Sequence, residues 1–227
     1  MKISVCIPIY EQRGLGKQFL KHNLDVLSEQ TFDDFEVIVT DDSTYFVQGS
    51  MQLLCNLYPF VKYFRNTGKK GIASNTNFAM SKATGELIKI IYQDDFLYNK
   101  DSLQDIWDNF KGNWMITACE STENGKIFIR PFYPHYNPDI YLGNNTISSP
   151  SVLTVRNHNH LLFDENLSML IDVDYYKRLY DKFGEPTILN KINVVNSIGS
   201  HQESMNITPE QMDKERKYVR NKYNQKE

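Results

Sequence analysis

The ten residues Leu87–Phe96, LIKIIYQDDF, decide how this chain of 227 residues is read. Leu87, Ile88, Ile90 and Ile91 make a short apolar run, the pattern of a strand buried within a sheet. Two carboxylates, Asp94 and Asp95, stand at its exit. Adjacent acids at the end of a buried strand repel one another and lose solvation, so a cation normally compensates them. Hard divalent cations such as Mg2+ and Mn2+ take oxygen ligands, and they often bind through few carboxylates plus substrate phosphates. A site for a nucleoside diphosphate is therefore the leading expectation. By itself an Asp-Asp pair is also a common turn or helix cap, so the flanking sequence has to decide.

Upstream of this stretch the pattern alternates. Ile3–Ile9 reads as a strand, and Leu15–Gln30 as an amphipathic helix with Phe19, Leu20, Leu24 and Leu27 at helical spacing. Phe35–Thr40 (FEVIVT) is a second buried strand, closed by Asp41-Asp42-Ser43. Val47–Leu57 predicts a helix, Val61–Phe64 a short strand, and Gly71–Ala83 another helix stopped by Gly85. A β-α-β-α-β-α-β succession implies an α/β fold with a mostly parallel, Rossmann-like sheet and helices on both faces. Ligands of such sheets sit at the carboxyl ends of the strands. Tyr10-Glu11, Asp41-Asp42 and Asp94-Asp95 all fall at those ends.

Downstream the pattern is less regular and predicts a smaller, mixed region. Asp101–Phe110 reads as a helix, and Trp114–Cys119, Lys126–Arg130 and Ser151–Val155 as strands. Residues 131–149, rich in Pro, Tyr and Asn, read as a long polar loop placed to cover a site. Asp172–Phe183 predicts a helix, Ile192–Val195 a last strand, and Thr208–Glu227 a charged, solvated terminal helix with Pro209 in its first turn. No repeat and no hinge-like linker interrupts the chain, so the expectation is one domain: 1–100 as a nucleotide-binding half, 101–205 as a second half, and 206–227 as a helical tail.

Composition narrows the class. Apolar residues make up 41% and charged residues 23%, ordinary for a globular chain. The net charge of −3 gives no electrostatic case for nucleic acid as a partner. Cys6, Cys55 and Cys119 are widely spaced and odd in number, without metal spacing or a disulfide framework. Residues 1–10 lack signal-peptide architecture and no long apolar span occurs, so no transmembrane segment is expected and the setting is cytoplasmic.

Three segments together, SVCIPIYE (4–11), LSEQTFDDFEVIVTDDS (27–43) and RNTGKKGIASNTNFAMSKATGELIKIIYQDD (65–95), resemble family 2 glycosyltransferases of the GT-A fold. The likeness is strong over 1–100 and looser over 145–205. It implies that Pro8, Tyr10 and Glu11 form the loop against which the nucleotide base packs, where aromatic stacking contributes roughly 1–3 kcal/mol. It implies that Asp42, with Asp41 beside it, accepts a hydrogen bond from the base. Asn66, Gly71, Ser74 and Asn77 match the segment below the nucleotide and donor sugar, with Gly71 allowing close backbone approach. Lys69 and Lys70 are read equally as residues approaching the phosphates and as solvated loop residues. Gln93-Asp94-Asp95 corresponds to the family's DXD-like motif, which gives Asp94 to the ribose and Asp95 to the cation.

Further along, SMLIDVDYYKRL (168–179) resembles the family's acidic segment and places Asp172 at the position of the catalytic base. Ile171 stands where the family often has Glu, and Asp174 competes for the role. His201, in IGSHQES (198–204), resembles a histidine found after the last strand in metal-dependent members, which makes it a candidate cation ligand. The resemblance therefore implies an inverting, Mn2+- or Mg2+-dependent transfer from a nucleotide-diphosphate sugar, UDP-linked by preference, to a hydroxyl of a glycan or other acceptor. A nucleotidyltransferase acting on sugar phosphates is the first alternative. It normally carries a Gly-rich, basic loop after the first strand, which residues 11–16 (EQRGLG) match poorly. An inactive module binding sugar nucleotides or glycans is the second.

Overall fold

The structure is a computed structural model that describes residues 1–202 and 205–224, with Gln48 described by its backbone alone. Residues 225–227, at the end of the expected terminal helix, and Glu203 and Ser204, in the segment holding His201, lie outside the described residues.

Strands β1 (Ile3–Ile9), β2 (Phe35–Asp41) and β4 (Leu87–Ile90) are buried at every position. That is the consequence of largely apolar strands lying between neighbours on both edges, with buried polar residues such as Ser4, Glu36 and Lys89 each hydrogen-bonded. With β3 (Val61–Arg65) they form a parallel block in the order β3-β2-β1-β4. Helices α1 (Gly16–Ser28), α2 (Tyr45–Cys55) and α3 (Ile72–Lys82) make the crossovers. The chain steps outward from β1 to β3 and then returns to the far side of β1. Right-handed crossovers therefore put α3 on the face opposite α1 and α2. The reversal falls between β1 and β4, the place where open α/β sheets take their ligands. Register levels the strand ends there: Ile9 lies opposite Asp41, and Asp41 opposite Arg65.

Beyond β4 the sheet becomes mixed. β8 (Leu153–Arg156) pairs antiparallel with β4 and with β6 (Trp114–Thr122). β9 (Thr187–Ser197) runs parallel to β6 and carries β5 (Phe96–Leu97) on its other side, while β7 (Phe128–Phe132) pairs with β6. Helices α4 (Ser102–Asn109), α5 (Ile171–Phe183) and α6 (Pro209–Asn224) complete the chain. The architecture is α/β, with a parallel block and a smaller mixed region, as the sequence predicts.

Four local expectations change. β4 ends at Ile90, and the acidic pair stands in the turn beyond it, closed by the Asp95 N–H donating to Tyr92 O at 2.9 Å. β9 is longer than Ile192–Val195. Its register on β6 jumps from Leu189 to Ile192, so Asn190 and Lys191 form a bulge that hides the strand period. The polar stretch 131–149 is anchored: it holds the end of β7 and a 3-10 turn at Pro138–Leu142, and Ile140 and Ile147 are fully buried. The terminal helix is not simply solvated, because α6 buries Val219 completely and Tyr223 and Glu215 almost so.

Candidate active site

A cavity of about 1430 Å3 opens at the carboxyl ends of β1, β2 and β4. Pro8, Tyr10, Glu11, Asp42 and Gly71 line it, as do Asp94, Asp95 and Asp172. Asn66, Asn77 and His201 are not in its wall.

The β1 end is shaped by side chains the sequence did not single out. Gln93 brackets Tyr10, accepting from its backbone N–H at 2.7 Å and donating to its carbonyl at 3.1 Å. Gln12 is nearly buried and takes a left-handed backbone, φ 41°, as does Arg13 with φ 54°. Its amide bonds Gln93 and donates to Asp94 Oδ2 at 3.3 Å and to the His201 carbonyl at 3.4 Å. Left-handed non-glycine residues are disfavoured unless their surroundings fix them, and here the bridge to the acidic turn does so. Gly16 admits α1 to this loop: a Cβ there would lie 2.2 Å from the Tyr10 carbonyl oxygen.

Asp42 is half-buried and held from three directions. Oδ1 accepts from Asn66 Nδ2 at 2.7 Å, Oδ2 accepts from the Gly71 N–H at 2.9 Å, and Lys70 Nζ lies 3.6 Å away. Burial raises its pKa despite these donors, and each oxygen keeps a lone pair for a further donor. Asp41 points inward instead, fully buried, accepting from Tyr63 OH and the Ser43 N–H at 2.7 Å each. Gly71 takes φ 120°, a backbone conformation that favours glycine, and the nearest protein atom a Cβ would meet, Ser74 Oγ, is 3.9 Å away. Asn66, outside the cavity wall, touches the site by its hydrogen bond to Asp42. Asn77 is turned away, exchanging hydrogen bonds with the backbone of Phe163 at 3.0 and 2.7 Å. Asn75 is the α3 amide at the cavity; it donates to the carbonyls of Ile9 and Thr40 and so ties the ends of β1 and β2.

The two acids of the central turn differ in surroundings. Asp95 is 5% exposed, accepting from Ser149 Oγ and the Ser197 N–H at 3.0 Å each. Burial and the adjacent Asp94 push its carboxyl well above the usual carboxylate range. His201 Nε2 lies 3.5 Å from Asp94 Oδ2, and its ring packs on Phe19 with centroids 4.9 Å apart. The histidine thus stands beside Asp94, whereas the sequence reading grouped it with Asp95. His201 Nε2 is buried, with no hydrogen-bond partner among the described residues. A buried imidazole nitrogen beside a carboxylate of the acidic turn suits a divalent cation. Among the described residues no cluster of three or more His, Cys, Asp or Glu ligands forms.

Asp172 occupies the first turn of α5, where backbone N–H groups favour an anion. Its Oδ1 accepts from the Val173 N–H at 2.7 Å and its Oδ2 from Asn145 Nδ2 at 2.6 Å. Burial nevertheless raises its pKa to about 6. Asp174, two residues on, is fully buried away from the cavity and bonds Arg178 Nε, Lys222 Nζ and Tyr223 OH at 2.7–2.8 Å. The geometry therefore separates the two competitors: Asp172 faces the cavity, and Asp174 is the hub of an ion network joining α5 to α6.

The model of the family described as Glycosyl transferase family 2 matches residues 4–169. WcaA of Escherichia coli K12, a putative colanic acid biosynthesis glycosyl transferase, is 24% identical over 196 residues, covering 81% of this chain and 68% of that protein. TarS of Staphylococcus aureus MW2, a poly(ribitol-phosphate) beta-N-acetylglucosaminyltransferase, is 24% identical over 234 residues, covering 92% of this chain and only 38% of TarS. The crystal structure of S. aureus TarS 1–349 in complex with UDP-GlcNAc matches with a TM-score of 0.73 at 22% identity, over 96% of this chain and 65% of that one. The mannosyltransferase PcManGT of Pyrobaculum calidifontis, in complex with GDP-Man and Mn2+, matches with a TM-score of 0.60 at 15% identity, over 87% of this chain and 56% of that one. These structural likenesses concern the fold. No helix among the described residues is long and apolar enough to cross a membrane.

Proposed function

The chain belongs to glycosyl transferase family 2, and from that premise we propose that it transfers a sugar, with inversion, from a UDP-linked donor to a hydroxyl of a glycan. The observation that carries the reading is a single cavity lined by Tyr10, Asp42, the Asp94-Asp95 turn and Asp172. The UDP-GlcNAc bound by the TarS neighbour supports the choice of nucleotide. In this reading the base stacks near Tyr10 and donates to Asp42, while Pro8 and Glu11 shape the loop. Asp94 and Asp95 meet the ribose and the diphosphate. Asn66 serves indirectly, by fixing Asp42, and Asn77 by fixing the wall behind α3.

Asp172 is the general base. It takes the proton of the acceptor hydroxyl as that oxygen bonds to the anomeric carbon. The bond from that carbon to the diphosphate oxygen breaks on the opposite face, and the electron pair leaves with the UDP. Such proton transfer contributes about 10²–10⁴-fold, and a base with a pKa near 6 is matched to neutral conditions. Asn145 and the Val173 N–H hold the two carboxylate oxygens in place. A divalent cation held by the acidic turn and His201 would neutralise the charge developing on the diphosphate. Asp94 is the acid closest to His201, so we assign it a share in holding that cation beside Asp95. We take 1–227 as one catalytic domain, a reading supported by the sheet that runs through both halves.

Thermal-shift measurement against UDP-, GDP- and TDP-sugars with Mn2+ tests the donor. One UDP-sugar should raise the midpoint above the others; a uniform response to all three nucleotides would overturn the assignment.

A further inference from the structure

α5 begins without a side-chain cap of its own, since Leu170 stands at the N-cap position. The backbone donors that precede it converge on a residue of α6. Glu215 Oε1 accepts from the Ser168 N–H at 2.9 Å and from Ser168 Oγ at 2.5 Å. Its Oε2 accepts from the N–H groups of Met169 and Leu170 at 2.9 Å each. Glu215 is 9% exposed and lines the cavity. Past Asp172, Lys222 Nζ and Tyr223 OH of the same helix hold Asp174 at 2.7 and 2.8 Å. Asp172 thus sits between two grips, both made by α6.

We propose that α6 is a clamp that sets the catalytic carboxylate, with Glu215 as the positioning residue for Asp172. The inference rests on the reading of Asp172 as the base. Its physical content has two parts. A helix start whose donors lack acceptors frays, and freeing residues 168–171 would let the Asp172 carboxylate leave Asn145. Misplacement of a reacting group by about 1 Å costs on the order of 10²-fold in rate. Glu215 is also an anion near Asp172, and after burial it adds to the rise in that group's pKa. Among the described residues Tyr92, from the turn after β4, and Tyr176, from α5, also face Asp172, and Asp94 and Asp95 share its cavity. The tyrosines carry no charge at neutral pH and the two acids are the same in every α6 variant, so Glu215 is the charged neighbour the clamp supplies.

The test compares Glu215→Gln with Tyr223→Phe by amide hydrogen exchange and by carboxyl 13C NMR of labelled aspartate, with Asp172→Asn identifying the signal. Glu215→Gln keeps the shape but leaves one amide oxygen for three backbone donors. It should speed exchange at 168–174 about tenfold or more and move the Asp172 titration downward. Tyr223→Phe loosens the second grip with no change of charge and should leave that titration in place. An unmoved titration in Glu215→Gln, or an equal shift in both variants, overturns the proposal. Should Glu215→Gln not fold, Glu215→Asp keeps the charge on a shorter stem; faster exchange with the titration retained supports the clamp, and unchanged exchange overturns it. UDP release from UDP-GlcNAc with Mn2+ separates the two levels. Wild-type release by Asp172→Asn defeats the base itself, whereas its loss there with full release by Glu215→Gln defeats only the clamp.

Discussion

On the nucleotide side of the cleft, the polar groups are delivered by strand ends whose register is fixed by buried apolar runs. Tyr10 follows β1, Asp42 follows β2, and the acidic turn follows β4, all within the parallel block. On the opposite side Asp172 has no strand to stand on. It is held by Asn145, 27 residues before it, and its turn is capped by Glu215, 47 residues after Ser168. The first construction is preorganised by the sheet itself. The second depends on loops and a terminal helix, which have lower local stability as a rule. Chemistry on the acceptor side is therefore the more easily lost without unfolding the molecule.

The largest effects should come from the two aspartates of α5, which test whether this side separates catalysis from architecture. Asp172→Asn is expected to lower sugar transfer about 10²–10⁴-fold with the fold intact. Asp174→Asn should instead cost stability, about 3 kcal/mol, because it strips a buried ion network of its acid. UDP release and denaturant unfolding, measured on both variants, read the two outcomes. If Asp174→Asn abolishes turnover in a fully folded protein while Asp172→Asn does not, the assignment is reversed.

Glu36 supplies the corresponding contrast in the parallel block. It is a buried acid far from the cavity, accepting from Ser4 Oγ, Lys62 Nζ and Thr84 Oγ1 at 2.6 Å each and from the Thr84 N–H at 2.8 Å. Burial alone would raise its pKa, but these donors outweigh it and hold the carboxyl at about 2. A folded-state pKa below the unfolded one stabilises above the unfolded value and is lost as pH falls toward 2. Glu36→Gln should cost about 2 kcal/mol at pH 7 and much less at pH 3. Melting curves at the two pH values check this, and Mn2+-UDP affinity should not change.

The acidic turn joins the two sides, and it decides how the cation is held. Asp94→Asn and His201→Ala should each weaken Mn2+ binding in the presence of UDP by at least about tenfold, read by electron paramagnetic resonance of the free ion. Asp95→Asn should weaken that binding as well and, by removing a charge that burial and Asp94 make costly, should not lower the melting midpoint at neutral pH. Unchanged Mn2+ affinity in Asp94→Asn would restore the division of roles read from the sequence.

The parallel block was legible in the sequence because continuous apolar runs and acids at their exits leave a local signature. Along α3 the signature is ambiguous: Asn75 and Asn77 are two residues apart, about 200° around a helix, and only the structure shows which faces the cavity. The bulge at Asn190 and Lys191 erased the alternation that would have marked all of β9. Glu215 left no signal, because α6 reads as a charged, solvated helix and its target N–H groups belong to backbone 45–47 residues away. Asn145 was hidden in the same way inside the polar loop.

The smallest expected effect sharpens the comparison with Glu36 by reversing its sign. Asp172 has its carboxyl pushed up to about 6, against an ordinary value of 3.8. Between those values the folded chain binds the proton that the unfolded chain has released, so stability falls as pH rises through the window. Above pH 6 the ionised carboxylate is a net cost, discounted for its partial exposure to about 1–2 kcal/mol. Asp172→Asn should therefore raise the melting midpoint at pH 7.5, with the gain gone below pH 4. The same proton sets the acid limb of activity: transfer by the wild-type enzyme should drop below about pH 6, because the base must be ionised to act. Glu36 stabilises the molecule by being ionised and Asp172 destabilises it by being ionised, which is what a carboxylate kept for proton transfer would do. An Asp172→Asn variant less stable than wild type at pH 7.5 would place Asp172 with Glu36 and remove it from catalysis.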